Sequence, residues 1–159
     1  MNVDAFQRSQ VCRYLSRDEA EQLLDLGAIV HLERDDMLFR EGDPGDTLYV
    51  ILEGQIQVVA QLESGARKSL AVLDYGDVIG EAAMIDREPR SAAAVSVGTS
   101  RLWEMNRSQL IRLIRKHPQI AAKFMWSLME SLTARMRSAN VTQSQLLQKI
   151  KVMSHSGLD

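Results

Sequence analysis

The segment from Gly80 to Ala93 carries residues whose types suit the binding of an anionic ribonucleotide. Arg90 can offer a planar guanidinium to two phosphate oxygens, and Ser91 adds a neutral hydroxyl donor beside it. A cyclic phosphate diester carries one negative charge, so a single arginine suffices to neutralise it. Glu81 would repel a phosphate, but an ionised carboxylate can accept the proton of a ribose 2′-hydroxyl.

The backbone of the same segment also suits contact with an anion. Gly80 can adopt a conformation closed to other residues, and it lets a ligand approach the main chain. The run from Ala82 to Met84 can form one helical turn whose free N–H groups point at an anion. An isolated Glu or Arg in a loop is usually a solvated surface charge, so these residues indicate a binding site only as an ordered set.

Short apolar runs rich in β-branched residues lie before and after this segment and predict strands. Turns containing Gly, Asp or Pro separate them, at intervals of about 8 to 12 residues. This spacing is typical of an antiparallel sandwich or barrel. The predicted strands are Ile29 to Leu32, Met37 to Phe39, Thr47 to Leu52, Gln55 to Leu62, Lys68 to Leu73, Ala92 to Val97 and Ser100 to Glu104.

Helices are predicted on both sides of the strands. Ser16 to Glu19 has the spacing of a capping box, and an apolar stripe follows it before Gly27. The helical period returns after Asn106 and breaks at His117-Pro118. A longer helix is then predicted from about Gln119 to Met153, since neither Gly nor Pro interrupts it.

The last predicted helix carries residues at alternating spacings of four and three, which is the a/d seam of a coiled coil. Such a helix would be on the order of 50 Å long, more than a small β domain can cover. We therefore predict a parallel homodimer through Met125 to Met153; the alternative is a helix packed lengthwise on its own domain. Gln143 would weaken the seam but help to set its register. The seam comprises Met125, Met129, Leu132, Met136, Ala139, Gln143, Leu146, Ile150 and Met153.

The ordered set from Gly80 to Ala93 closely resembles the phosphate-binding cassette of the cyclic-nucleotide-binding domain family. That cassette reads G-E-x-A-x and then, after a short loop, P-R-x-A. The resemblance covers roughly Asp18 to Met153 and includes Phe39 to Gly54, which looks like the family's second signature. It is to a catabolite-activator-like β-roll sensor, without a DNA-binding domain.

The resemblance implies an α+β fold: an antiparallel β-roll, or jelly-roll barrel, with flanking helices and a long C-terminal dimerisation helix. Residues 1–118 would form the cyclic-nucleotide-binding β-roll domain with its N-terminal helix. Residues 119–159 would form the long coiled-coil helix and a short tail.

The resemblance also implies a role for each candidate site residue. Glu81 would bind the ribose 2′-hydroxyl, and Arg90 and Ser91 would bind the cyclic phosphate. By a gap-free count, Arg135 falls at the turn whose polar residues contact the purine in the activator branch, so it would stack on the base or donate to its edge. The alternative is a solvent-facing arginine beside the seam. The candidate ligand-binding residues are Gly80, Glu81, Ala82, Ala83, Arg90, Ser91, Ala92 and Arg135.

The expected function is that of a stand-alone cyclic-nucleotide sensor, with cyclic AMP as ligand, that transmits its occupancy to the dimerisation helix and on to an unidentified protein partner. The alternatives are a regulatory fragment of a larger catabolite-activator-like transcription factor and a binder of cyclic GMP. Only Ser154 to Asp159 follow the seam, which is too short for a helix-turn-helix domain, so DNA is not expected as a partner.

Composition argues against other classes of protein. The 159 residues carry a formal net charge of −2, which gives no overall basic field for nucleic acid or an anionic membrane. Cys12 is the only cysteine, and the three histidines are scattered outside any metalloprotease motif. We therefore expect no catalysis, no metal and no cofactor. The N-terminus has no apolar signal region and no apolar run reaches about 18 residues, so a cytoplasmic protein without a membrane partner is expected.

Overall fold

The computed structural model describes residues 3–61 and 66–155, and their side chains up to residue 139 except at positions 67 and 83. The predicted strands and helices occur in the order that the sequence predicts. The helices are α1 (Val3–Gln7), α2 (Arg17–Leu24), α3 (Glu81–Asp86), α4 (Arg107–Lys116) and α5 (Pro118–His155). The strands are β1 (Ala28–Leu32), β2 (Met37–Phe39), β3 (Thr47–Glu53), β4 (Ile56–Gln61), β5 (Arg67–Leu73), β6 (Val78–Ile79), β7 (Ala93–Ser96) and β8 (Ser100–Asn106).

The strands form two antiparallel sheets of four strands each. One sheet has the order β1-β8-β3-β6, and the other has the order β2-β7-β4-β5. All of their pairings are antiparallel. These sheets, with helices before and after them, confirm the predicted α+β fold and its β-roll.

Side chains of β3 alternate between two hydrophobic clusters, because successive residues of a strand point to opposite faces. Leu48 and Val50 join a cluster that includes Trp103 of β8 and side chains of the N-terminal segment and α5. Ile51 joins the second cluster, which includes Leu102 of β8 and side chains of β4 and β7. The first sheet is therefore covered on both faces.

The predicted boundaries hold to within two residues for each strand. The capping box of α2 is present, since the Ser16 hydroxyl accepts from the Glu19 N–H at 3.2 Å and the Ser16 N–H donates to the Glu19 carboxylate at 2.8 Å. β6 and α1 were not predicted, because elements of two and five residues are too short to show a period. The last helix begins at Pro118, one residue earlier than expected.

Backbone contacts divide the chain into two compact units, Met1–Leu128 and Met129–Asp159. The first unit holds both sheets and the first turns of α5, where Ile120, Phe124 and Leu128 are buried. The second unit holds the rest of α5. The predicted domain boundary between residues 118 and 119 stays a prediction.

Several predicted features lie outside the described residues. They are Leu62 at the end of a strand, the tail after His155, and the side chains of Ala83, Gln143, Leu146, Ile150 and Met153. Within the described residues, no helix is long and apolar enough to cross a membrane, and no group of three or more acidic, histidine or cysteine side chains is placed to hold a metal ion.

Candidate functional site

The site is organised around Gly80, which links β6 to α3. Its φ of +84° lies in the left-handed region that favours glycine. A Cβ atom at this position would overlap Nη1 of Arg90 and would lie 2.9 Å from the carbonyl oxygen of Thr47. The missing side chain therefore lets the Arg90 guanidinium lie directly against the main chain.

Arg90 is held by backbone groups from three parts of the fold. Its Nη1 donates to the Gly80 carbonyl at 2.9 Å, and its Nη2 donates to the Thr47 carbonyl at 2.7 Å. Its own N–H donates to the Asp43 carbonyl, and its carbonyl accepts from the Gly42 N–H, both at 2.8 Å. The loop after β2 thus fixes the main chain of Arg90, while the start of β3 and the end of β6 fix its side chain.

Two aromatic rings complete the surroundings of this guanidinium. The Arg90 Cζ atom lies 4.2 Å from the centre of the Phe39 ring and 6.0 Å from the centre of the Tyr49 ring. The two rings stack at a centroid distance of 6.1 Å. A cation over an aromatic face is attracted by the ring quadrupole, so Phe39 stabilises the charged side chain where water is scarce.

The charge of Arg90 has no direct counter-ion in the described part of the chain. Only 6% of the residue is exposed, and it takes part in none of the ion pairs found among the described residues. Its Nε–H group is buried and has no hydrogen-bond partner among those residues. Burial lowers the pKa of Arg90, while the charges of Asp46 and Glu81 act in the opposite direction. A buried cation with an unused donor is complementary to an anion.

Glu81 is the first residue of α3 and lies near Arg90. It is also 6% exposed, so the two ionisable candidate residues of the predicted cassette are both buried. Met84, one turn further along α3, is packed in the cluster around Trp103 and anchors the helix to the core. The structure thus places one buried acceptor and one buried cationic donor beside the same stretch of main chain.

The remaining predicted site residues differ in exposure. Ser91 and Ala82 are exposed, whereas Ala92 is buried. Arg135 is half-buried and belongs to the second compact unit. Its predicted contact with the base, like the ligand-binding role of every candidate residue, stays a prediction.

Three residues with a structural role at this site were not predicted from the sequence. Thr47 contributes only its carbonyl oxygen, which every residue has, so no sequence signal marks it. Phe39 lies inside the second signature, but its spacing gives no sign that its ring covers Arg90. Arg107, whose guanidinium donates to carbonyls of α3, likewise lies in a helix that the sequence describes only by its apolar period.

Comparison with known proteins assigns the chain to a family. The family model described as "Cyclic nucleotide-binding domain" matches residues 29–117, which is more than half of the chain. The protein therefore belongs to the cyclic nucleotide-binding domain family, as the resemblance predicts.

Similar proteins include regulators of transcription and of a protein kinase. The CRP-like cAMP-activated global transcriptional regulator of Mycobacterium tuberculosis is 29% identical over 118 residues, which are 74% of this chain and 51% of that protein. The cAMP-dependent protein kinase regulatory subunit of Dictyostelium discoideum is 27% identical over 142 residues, 87% of this chain and 43% of that protein. The chain spans about half the length of these curated relatives.

A solved structure supports the same assignment. The crystal structure of a cyclic nucleotide-binding domain from Methylobacillus flagellatus matches with a TM-score of 0.79 and 29% identity. The match covers 92% of this chain and 81% of that chain. The β-roll with its flanking helices is thus the fold of a solved domain of this family.

Proposed function

We propose that this domain binds a cyclic nucleoside monophosphate, with cyclic AMP as its ligand, and acts as a sensor rather than as an enzyme. The observation that carries the proposal is the buried Arg90, whose Nε–H has no partner and whose charge has no carboxylate in direct contact among the described residues. A cyclic phosphate supplies both a single negative charge and acceptor oxygens for such a donor.

The roles of the site residues follow from their chemistry and from the family's cassette. The phosphate is bound by Arg90 and Ser91, and the ribose 2′-hydroxyl donates to Glu81. The remaining contacts come from main-chain groups of Gly80, Ala82, Ala83 and Ala92. Cyclic AMP is preferred over cyclic GMP because both curated relatives described above carry cAMP in their names.

Calorimetric titration tests the proposal directly. We expect cyclic AMP to bind at one site per chain, more tightly than cyclic GMP and much more tightly than the linear 5′-monophosphate. Ligand at about 100 times its dissociation constant should stabilise the fold by roughly 2.7 kcal/mol. A thermal melt that no cyclic nucleotide shifts would contradict the proposal.

The ribose contact has its own test. Glu81→Ala removes the carboxylate that accepts the hydrogen bond from the ribose 2′-hydroxyl. The variant should lose most of the preference for cyclic AMP over its 2′-deoxy analogue, while its affinity for the deoxy analogue changes little. An unchanged preference would remove Glu81 from the ribose site.

We expect the domain to catalyse no reaction, to bind neither DNA nor a membrane, and to act in the cytoplasm. Cys12 supports the first of these points. It is buried, and burial raises the pKa of its thiol to about 12, so the nucleophilic thiolate is scarcely populated. Chromatography of cyclic AMP after prolonged incubation with the protein should recover the nucleotide unchanged.

We further propose that α5 pairs with a second copy of the chain, so that occupancy is passed to a dimer. Phe124 is buried and Met125 is exposed, so this part of α5 has one side that faces the core and one side that faces solvent. Further along the solvent-facing side, Met129 and Met136 are 52% and 67% exposed. Residues three and four apart share a helix face, so these methionines continue the predicted seam.

Sedimentation at micromolar concentration tests the dimer. Leu132→Asp together with Leu146→Asp should give monomers, because pairing would bury unpaired charge. Ala134→Asp, on an exposed position outside the seam, is the matched control and should leave the dimer intact. A parent protein that sediments as a monomer with and without cyclic nucleotide would contradict the pairing.

A further inference from the structure

Arg107, the first residue of α4, contacts both parts of the frame that carries the site. Its Nη1 donates to the carbonyl oxygens of Met84 at 3.1 Å and Ile85 at 3.4 Å, in the last turn of α3. Its main-chain N–H donates to the carbonyl of Asp46 at 2.8 Å. Asp46 immediately precedes Thr47, whose carbonyl accepts from Arg90. One residue therefore joins α3 to the start of β3.

The physical need for this contact comes from the length of α3. A helix of six residues makes few internal hydrogen bonds and is not stable by itself. Its last four carbonyl groups have no partners inside the helix, and a cation near that end stabilises the helix through its dipole. Arg107 supplies the cation and a donor to two of those carbonyls. The helix that it holds begins with Glu81.

We propose that Arg107 is a positioning residue that holds α3 against β3, so that Glu81 and Arg90 contact the same ligand. Through the same contact, a change in the position of α3 on ligand binding is passed to α4. The inference rests on the proposed function and adds the route by which occupancy leaves the site. The route leads from the candidate ligand-binding residues at one end of α3, through the Arg107 guanidinium at the other end, to α4, which begins with Arg107.

The test compares Arg107→Met with Arg112→Met. Met keeps a long unbranched side chain and a similar helix propensity. α4 should fold in both variants, because its N-terminus is held by a capping box of Asn106 and Gln109. Arg112 is the matched control, since it is an exposed arginine of the same helix whose side chain makes no hydrogen bond or ion pair among the described residues.

Two measurements separate positioning from a general loss of stability. Without ligand, amide hydrogen exchange in α3 should be faster in Arg107→Met than in Arg112→Met, while exchange in β3 and β8 stays equal. In calorimetry, Arg107→Met should bind cyclic AMP roughly tenfold more weakly than the control, the loss expected for one charge-assisted contact. Arg107→Lys, which keeps a cation at the end of α3, should recover part of that loss.

The route itself is tested by exchange with ligand bound. Cyclic AMP should slow exchange in both α3 and α4 of the Arg112→Met control. In Arg107→Met, saturated with ligand, it should slow exchange in α3 alone. Equal slowing of α4 in the two variants would overturn the route.

The remaining outcomes are distinct from a failure of the proposed function. If the parent binds no cyclic nucleotide, the proposed function fails, while the ligand-free exchange in α3 still decides whether Arg107 positions that helix. Equal α3 exchange in the two Met variants would overturn the positioning role, and so would an equal loss of affinity, which would point to net charge instead.

Discussion

Two buried side chains of this domain, Trp103 and Arg90, differ in whether all of their hydrogen-bond donors have partners. Trp103 is fully buried, its ring centroid lies 4.8 Å from that of Phe6 and 6.4 Å from that of Phe124, and its Nε1–H donates to the Leu24 carbonyl at 3.0 Å. Its single donor is therefore satisfied. Arg90 is almost as deeply buried but keeps one donor without a partner in the described structure.

A glycine makes room for each of these side chains. A Cβ atom at Gly27 would overlap the Trp103 indole, and a Cβ atom at Gly80 would overlap the Arg90 guanidinium. A glycine thus makes room for each side chain, but only Trp103 has a partner among the described residues for every side-chain donor. A satisfied buried group contributes to stability, whereas an unsatisfied one costs free energy unless a ligand completes it. Under the proposed function, the difference separates a residue that stabilises the fold, Trp103, from a residue that would bind the ligand, Arg90.

Substitution of Trp103 should have the strongest effect on stability. Trp103→Leu should lower the free energy of unfolding by about 3 kcal/mol, because it leaves a cavity and an unpaired Leu24 carbonyl. Affinity for cyclic AMP in the folded protein should change by less than about twofold. Urea denaturation and calorimetry measure the two quantities. Trp126→Leu, at the other tryptophan and 56% exposed, should cost less than about 0.5 kcal/mol. A large loss of affinity in Trp103→Leu would contradict the purely structural role of Trp103.

Arg90→Met should show the opposite pattern. Binding of cyclic AMP should weaken roughly 100-fold, because the proposed charge-assisted contact to the phosphate is lost. The free energy of unfolding should change by no more than about 1 kcal/mol, since two hydrogen bonds to carbonyls are lost while the desolvation of an unpaired charge is relieved. Arg87→Met, an exposed arginine of the same loop, is the control. Tight binding by Arg90→Met would remove the central observation behind the proposed function.

A smaller effect is expected at the glycine that admits Arg90. Gly80→Ala and Gly42→Ala both place a side chain at positive φ, so each should cost about 1–2 kcal/mol of stability. A Cβ atom at Gly42 meets nothing within 4 Å, whereas one at Gly80 displaces Arg90. Only Gly80→Ala should therefore weaken cyclic AMP binding, by roughly tenfold. Equal affinities of the two variants, measured by calorimetry, would show that the guanidinium position is not critical.

The same contrast explains how much the sequence predicts. The strands, the capping box of α2 and the cassette are visible because they depend on local period, spacing and residue type. The partners of Arg90 are not visible, because they are main-chain carbonyls of Gly80 and Thr47, separated in sequence by more than thirty residues. The Phe39 ring over the guanidinium is likewise a consequence of the way β2, β3 and the cassette loop come together.

Tertiary contacts also decide features that no local pattern marks. α1 is only five residues long, yet its Phe6 is fully buried against Trp103. The link from Arg107 to α3 joins residues more than twenty positions apart. Residue type and spacing mark the candidate site in the sequence, whereas the fold determines which of its side chains are held in place and by which contacts.

Glu19 of α2 forms an ion pair with Lys123 of α5, and both helices also contribute side chains to the hydrophobic cluster around Trp103. Lys123 Nζ lies 2.6 Å and 2.7 Å from the two carboxylate oxygens of Glu19. The hydrogen bond from Lys123, together with that from the Ser16 N–H, lowers the pKa of Glu19. A carboxylate whose pKa is lower in the folded state contributes stability above its unfolded pKa of about 4.3, and this contribution is lost as the pH falls through the folded value.

Glu19→Gln isolates this ion pair, because glutamine keeps the capping-box acceptor for the Ser16 N–H and loses only the charge. We expect the variant to be less stable than the parent by no more than about 1 kcal/mol at pH 7, since Lys123 is partly exposed and solvent screens the pair. The difference should shrink as the pH is lowered below about 4.3, because protonation gives the parent a neutral side chain as well. Urea midpoints of both proteins from pH 7 to the lowest pH at which they fold measure this directly, with Glu21→Gln, at a more exposed pair with Arg17, as the control. A difference that stays constant or grows on acidification would show that the charge of Glu19 does not stabilise the contact between α2 and α5.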